Sequence, residues 1–454
     1  MADDGSFEGT AAWLRGQWSN PSDIFTILLL IGGDIVQAAI AQLSAGPVSG
    51  LTPVSFSFGW VVATTFHSEN RLMPRPEVDC ILINAKSGYV RTNYSWVLSR
   101  MLRDFDHWRP KLSDRVEKDK LDELREINKT SAKPRHVGEI RVALRVSVWE
   151  CRSATGKGGG DLIYWVGLLV TAVQFGIAAI PWGLYGEWYT FFVTSAGTAL
   201  AYTGGALPQW WDEKVGVRKL KYTETVKERK DVFLTEGNGA HDVVMILGCE
   251  GGMDLEALAA SQRQLRSPWT TRVLSFILAV LWIALLISVA GWQQHTWYVL
   301  GVGMLGLIHN VIVAGTPREP QAFGIDLVYR DTIVEGKVME VLRLVEESYP
   351  KAGAALIETF FPGKLFPREQ MMWDYAERRA DAWKEDDTRG ERTAQVGAWP
   401  MPPLSSPLGK KDDRDIPEAG PYQYHTGPMT WKSDTQAALG AFDQPTDRIV
   451  KTNP

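Results

Sequence analysis

Cysteine is scarce: only Cys80, Cys151 and Cys249 occur in 454 residues, too far apart to make a CxxC pair. That spacing excludes a disulfide framework and a cysteine-built zinc site. The usual marks of chemistry are missing as well. HExxH and GxSxG do not occur, and the Gly-Lys pairs at Gly156 and Gly363 lack the Ser or Thr and the upstream glycine of a phosphate-binding loop. The histidines (His67, His107, His136, His241, His295, His309 and His425) show no ligand spacing. A basic excess is lacking too, since a net charge of −5 gives no case for a nucleic-acid partner. No catalytic residue, metal or cofactor is suggested.

What the chain does have is long apolar runs divided by charged segments, a contrast that the mean hydropathy of −0.13 averages away. A bilayer core needs about 17–25 mostly apolar residues per helix. Six segments meet or approach that length: residues 23–43, 51–66, 161–182, 188–207, 270–292 and 296–314. The second is short and carries Pro53 near its start. The expected fold is mainly α: a six-helix transmembrane protein of three hairpins (23–66, 161–207 and 268–314) with a small α+β cytosolic domain. That domain would come from 67–160, 208–267 and the helices of 315–385. A cytosolic N-terminus (1–22) and a disordered tail (386–454) complete the organisation.

Charge sets the orientation. The short loops 44–50, 183–187 and 293–295 hold no Lys or Arg, whereas residues 67–160 hold 19 and residues 208–267 hold 9. Basic loops stay on the cytosolic side, so both long loops and both termini are expected there. Asp3, Asp4 and Glu8 before the first apolar run argue against a cleaved signal. Trp182, Trp188, Trp292 and Trp297 flank two of the short loops, and Trp210, Trp211 and Trp269 stand at the other ends of those spans. Indole favours the headgroup level, so this predicts two aromatic belts.

Polar residues inside apolar spans are the first candidates for function. Asp34, Gln37, Gln174 and His309 form a candidate intramembrane polar site, with Asp34 and His309 as partners. The alternative is hydrogen bonding between helices. Gly301-x-Gly303-x-x-Gly306 imitates a dinucleotide fingerprint but sits inside an apolar span, where small residues permit close helix packing. Gly197, Ala201 and Gly205 are read in the same way.

The second candidate lies in the long loop after the fourth span. Strands at 232–234 and 243–247 flank a Gly237-Asn238-Gly239 turn, and Asp254 would cap a helix from Leu255. The intervening Gly248, Glu250, Gly251 and Gly252, with Asp254, make a candidate cytosolic ligand loop. Its carboxylates, with Glu256, disfavour a free anion but admit a bridging metal. The alternative is a βα turn whose glycines serve the backbone. Elsewhere the pattern predicts a hairpin at 79–93, a helix at 95–106 capped by Ser95, a charged helix at 111–135 and a half-buried strand at 140–148. Helices follow at 331–349, 352–361 and 367–383.

Gly237-Asn-Gly with Val-Met-Ile-Leu-Gly and Asp254-Leu-Glu256, Lys337-Val-Met339, Glu346 with Tyr349-Pro350, and Phe360-Phe-Pro-Gly363 form a set. Leu207-Pro-Gln-Trp210 with Glu213-Lys214 belongs to it too. Over residues 160–375 the chain thereby resembles a group of multi-span fungal membrane proteins that carry no assigned activity. The resemblance implies a membrane class and supplies no catalytic residues. The expected function is non-enzymatic, transport-like or scaffolding, with the lipid bilayer and a cytosolic protein as partners. The alternative is a membrane-embedded enzyme for an apolar substrate, as in fungal secondary metabolism, using Asp34, His309 and the Glu250/Asp254/Glu256 cluster.

Overall fold

The computed structural model describes residues 22–60, 71–131, 136, 140–223, 228–261, 269–291 and 294–386. Residues 1–21 and 387–454, which hold the expected N-terminal arm and tail, lie outside the described residues. The described chain opens with α1 (Ser22–Leu43). The hairpin β1 (Ile81–Asn84) and β2 (Val90–Thr92) comes next, followed by α2 (Trp96–Arg103), the single turn α3 (Phe105–Trp108) and the charged α4 (Lys111–Thr130). β3 (Leu144–Ala154) leads into α5 (Leu162–Tyr185), α6 (Tyr189–Gly205) and α7 (Pro208–Val215). β4 (Val232–Thr235), β5 (Asp242–Leu247) and α8 (Leu255–Ser261) precede α9 (Trp269–Ala290) and α10 (Thr296–Gly315). Last come β6 (Ile325–Glu335), α11 (Val338–Ser348), α12 (Ala352–Ala355), α13 (Ile357–Phe360) and α14 (Pro367–Asp386).

The strands build one mixed sheet in the order β2-β1-β4-β5-β3-β6, in which only β3 and β5 run parallel. One face carries Ile83, Val146, Phe233 and Met245 against the apolar side of α11 and the turns that follow it. The other carries Leu82, Leu234, Val244 and Ile246, which share a core with α2, α8 and the base of the long helices. The sheet is therefore covered on both sides, and β3 is buried on both, correcting the expected half-buried strand. Arg145, on its supposed polar face, is buried against Asp242 and Glu117. The helix expected from residue 331 is also corrected. Asp331–Glu335 continues β6, because the β-branched run Thr332-Ile333-Val334 pairs with β3, and the helix starts only at Val338.

The six-helix transmembrane expectation is overturned. Among the described residues, three helices are long and apolar enough to cross a membrane: α5, α9 and α10. α6 has only 17 residues, and α1 has 22 with Asp34 inside it. Most important, residues 51–57 of the expected second span are not helical but extended. Pro53 supplies no N–H, and Ser55-Phe56-Ser57-Phe58 alternates with the period of a strand. The loop at 44–52 is corrected too. Gly158 N donates to Ala45 O (2.8 Å), which places that loop at the sheet end of the helices instead of the far end.

Candidate functional site: an inserted segment and its charged base

An extended chain among helices has no ladder partner, so its backbone groups must find side chains. Residues 51–60 do this. Tyr164 Oη donates to Leu51 O (3.0 Å) and Thr52 Oγ1 to Gly205 O (2.8 Å). Deeper, Gln174 Nε2 donates to Phe56 O (2.8 Å) and Val302 O (2.9 Å). Asn310 Nδ2 donates to Ser55 O (3.0 Å) and Ser57 Oγ (3.2 Å), and Ser55 Oγ shares a 2.9 Å hydrogen bond with His309 Nδ1. Phe56 and Trp60 stack on Trp282 of α9 with ring centroids 6.0 and 6.1 Å apart.

Glycines make the room. A Cβ at Gly306 would overlap the Phe56 carbonyl, one at Gly303 the Phe58 ring, one at Gly167 the Pro53 carbonyl and one at Gly197 the Phe56 ring. By the same measure a Cβ on Gly205 would lie 3.0 Å from Thr52 and one on Gly32 would lie 2.7 Å from Gly59 Cα. The glycine rows expected to pack helix on helix thus seat this segment. The described chain before it and the chain that resumes at residue 71 both lie at the sheet end of the bundle. Leu51 is held beside the start of α5, while Leu72 N and Met73 N donate to Glu213 Oε2 on α7 (2.9 and 2.8 Å).

Of the expected polar site, Gln174 and His309 come to this segment, and Asn310 joins them. Gln37 instead donates to Leu72 O (2.7 Å). Asp34 lies on the exposed side of α1, so the expected Asp34–His309 pair does not form. Ser55 and His309 have the spacing of a nucleophile and a base. Both are enclosed, however, at 0 % and 4 % exposure, and their bond serves to hold the chain. Gln174 Oε1, His309 Nε2 and Asn310 Oδ1 are buried and have no hydrogen-bond partner among the described residues.

Below the segment lies a buried charged base, which the sequence does not single out. Lys214 Nζ donates to Gln42 O (3.1 Å) and Ser44 O (2.6 Å), where α1 ends. Arg318 reaches Gln42 O as well and pairs in bidentate fashion with Asp161 (2.7 and 2.8 Å). Asp161 in turn caps α5 by accepting from Tyr164 N (3.1 Å). At the end of α10, Arg100 Nη2 donates to Ala314 O and Thr316 O (2.9 and 3.0 Å), while Asp104 and Glu77 balance its charge. Cations at helix C-termini satisfy orphan carbonyls and complement the dipole. Burial pushes Lys214 well below the ordinary lysine range, nearby Arg318 adds to this, and Asp161 opposes it. Beside this base is a cavity of about 420 Å³ between the 44–52 loop, Lys157, Trp210, Trp211 and Asp212. Trp210 is buried with its Nε1 on Gly204 O, so it leaves the expected aromatic belt.

The candidate ligand loop is closed on itself. Asp254 is fully buried; its Oδ1 accepts from Glu256 N and Ala257 N (3.1 and 3.3 Å), as a helix cap should. Its Oδ2 takes Lys230 (2.9 Å) and Arg218 (2.6 Å), and Lys230 also takes Glu256 (2.8 Å). Burial works against the Asp254 charge, but hydrogen bonds from Lys230 and Arg218 outweigh it and hold the carboxyl below its usual range. Gly248 N donates to Asp231, Gly251 takes φ +67°, Gly252 is packed against Cys249, and Glu250 is exposed. A bridging metal, which these carboxylates alone would admit, would find Asp254 and Glu256 already paired with Lys230 and Arg218. On the opposite face of the sheet, Asn238, Gly239, Lys337–Met339, Phe360 and Phe361 border a cavity of about 430 Å³, which brings together three segments of the resemblance. The sequence matches no protein-family model, and neither a curated protein nor a solved structure matches it.

Proposed function

We propose that the chain is a multi-pass membrane protein with a scaffolding role, whose helices anchor a sheet domain and hold it in a fixed pose on the bilayer. One observation carries this reading. The bundle turns its apolar side chains outward and spends its interior polar groups on holding residues 51–60. Only 28 % of the most apolar window of α5, and of α9, is buried; Leu169, Val173, Phe276, Ile283 and Ile287 face out. A continuous apolar surface of this kind fits lipid. Non-helical backbone at membrane depth is tolerated only where protein covers it, which suits the inserted segment.

In this reading α5, α9 and α10 cross, α6 crosses at the 17-residue lower limit, α1 crosses with Asp34 within it, and residues 51–60 enter the bundle from the sheet side. The sheet and α14 then lie on the basic, cytosolic side, and the start of α1 lies opposite. In sealed microsomes, an epitope placed before residue 22 should be shielded from added protease and one after residue 454 should be cleaved. Cleavage of both would remove α1 as a crossing and sink the topology. A transport-like role is the second reading, favoured by the unpartnered Gln174 Oε1, His309 Nε2 and Asn310 Oδ1. Proteoliposomes carrying the scaffold should show no proton or monovalent-cation flux above protein-free vesicles. Flux abolished by Gln174→Leu would replace scaffolding with transport.

A further inference from the structure

Cys151 and Cys249 are 98 positions apart, yet the fold makes them neighbours. The parallel register pairs Glu150 of β3 with Leu247 of β5, so Cys151 falls beside the residues that open the 248–253 loop. Both side chains belong to the same apolar core on one face of the sheet, Cys151 within it and Cys249 packed against it. Their exposures differ in a useful way: Cys249 is half-buried and Cys151 is buried. The more accessible thiol can meet an oxidant, and the buried one stands on the neighbouring strand to resolve it. The third cysteine, Cys80, lies buried at the edge of β1, and burial pushes its thiol up to about 12.

We propose that Cys151 and Cys249 form a reversible intramolecular disulfide when the protein meets a hydroperoxide. The Cys249 thiolate attacks the outer peroxide oxygen, the O–O bond breaks, and the alkoxide or hydroxide leaves with a proton as alcohol or water. Cys249 becomes a sulfenic acid. Cys151 then gives up its proton and attacks that sulfur, and the hydroxyl group departs as water. Two thiols are oxidised by two electrons, and one peroxide is reduced. The Cys151 S–H bond pulls the Cys249 thiol down to about 7 although burial opposes it, and the backbone at Ala154 and Gly252 adds to the effect. β3 runs on into α5, and the Cys249 loop runs through α8 toward α9, so the disulfide staples two of the routes by which the sheet joins the long helices.

The test uses the full chain in detergent micelles. After hydrogen peroxide, free thiols are blocked with N-ethylmaleimide and the protein is digested without reduction for mass spectrometry. The expected product is one Cys151–Cys249 linked peptide, two fewer maleimides per chain, and full reversal by dithiothreitol. In Cys151→Ser, dimedone should capture a sulfenic acid at Cys249; in Cys249→Ser, Cys151 should stay unmodified. At pH 7 a thiol of pKa about 7 is half ionised against about 1 % for one near 9. Allowing for weaker intrinsic nucleophilicity, Cys249 should alkylate roughly sixfold faster than an ordinary thiol. A link to Cys80, a link between chains, oxidation of Cys249 with no link to Cys151, or silence at peroxide levels that oxidise a free-thiol peptide would each overturn the proposal. Because the mapping is read on the unmodified chain, a variant that fails to fold leaves the answer intact.

Discussion

Three of the glycines of α10, Gly301, Gly303 and Gly306, allow a graded test of the inserted segment within one helix. In a helix interior, Gly→Ala gains about 0.5–1 kcal/mol from chain entropy alone. A Cβ at Gly301 meets nothing within 4 Å, so Gly301→Ala should gain that amount. At Gly303 the Cβ meets the Phe58 ring, and overpacking costs about 1–3 kcal/mol, so the net should lie near or modestly below zero. At Gly306 it meets the Phe56 carbonyl and approaches Gln174 Nε2 at 2.7 Å. Relief requires moving the amide that bonds both Phe56 O and Val302 O. Each lost bond is worth about 1 kcal/mol, so with overpacking Gly306→Ala should cost roughly 2–4 kcal/mol. At about 2–4 °C per kcal/mol, its melting midpoint should fall by roughly 4–16 °C while that of Gly301→Ala rises slightly. Intrinsic tryptophan fluorescence on heating in micelles reads both. Equal shifts at 301 and 306, or a neutral Gly306→Ala, would refute the seating of residues 51–60 on this face.

Two charged positions give further predictions. Because Lys214 has its pKa lowered in the fold, the unfolded chain holds more protons between that depressed value and the ordinary 10.5, and stability must rise with pH across this window. The wild-type melting midpoint should therefore climb from pH 7 toward 10 relative to Lys214→Met, and parallel curves would rule the burial penalty out. Asp254→Asn keeps the helix cap but loses the attraction of Lys230 and Arg218. Since Arg218 is 63 % exposed, the expected cost is only about 1–2 kcal/mol. A depressed carboxyl stabilises above its ordinary 3.8 and loses this as pH falls below it, so the two midpoints should converge toward pH 3. A gap that persists there would point to packing instead.

Local periodicity made part of this fold readable. The Gly237-Asn238-Gly239 turn between β4 and β5, the Asp254 cap and the apolar helices α5, α9 and α10 each rest on contacts within a few residues of one another. Sheet order and the inserted segment depend on contacts across the chain. The 51–66 stretch is apolar enough to pass for a span, and hydropathy is blind to the difference between a helix in lipid and the irregular chain, enclosed by helices, that residues 51–57 form. Its Pro53 and its Ser-Phe alternation were the visible warning. The reading of residues 331–335 failed for a related reason, since pairing with β3 outweighed a helical spacing that holds only from Val338 onward. Among the candidate site residues, Gln174 and His309 were visible as polar positions in apolar runs, but their partners were the Phe56 carbonyl and the Ser55 hydroxyl and not Asp34. Nothing in the sequence marked Lys214 or Arg318 as buried, because a lysine in Pro-Gln-Trp-Trp-Asp-Glu-Lys-Val looks like any surface lysine until the fold closes over it.

Chain direction explains why that closed-over pair has the charges it has. Where α1 ends and the chain departs toward residue 51, the backbone offers unsatisfied carbonyls, which only a donor can meet. Lys214 supplies it at Gln42 O and Ser44 O. Where the chain returns at Leu72 and Met73, it offers buried N–H groups, which only an acceptor can meet. Glu213, the preceding residue on the same short helix, supplies that. One turn of α7 thus clamps both ends of the inserted segment, with each sign of charge set by the backbone group facing it. Exchanging the two residues would keep composition and net charge and leave both ends of the segment facing groups of their own kind. For this reason the charges at 213 and 214 are better understood as fixing where residues 44–73 enter and leave the bundle than as a surface ion pair.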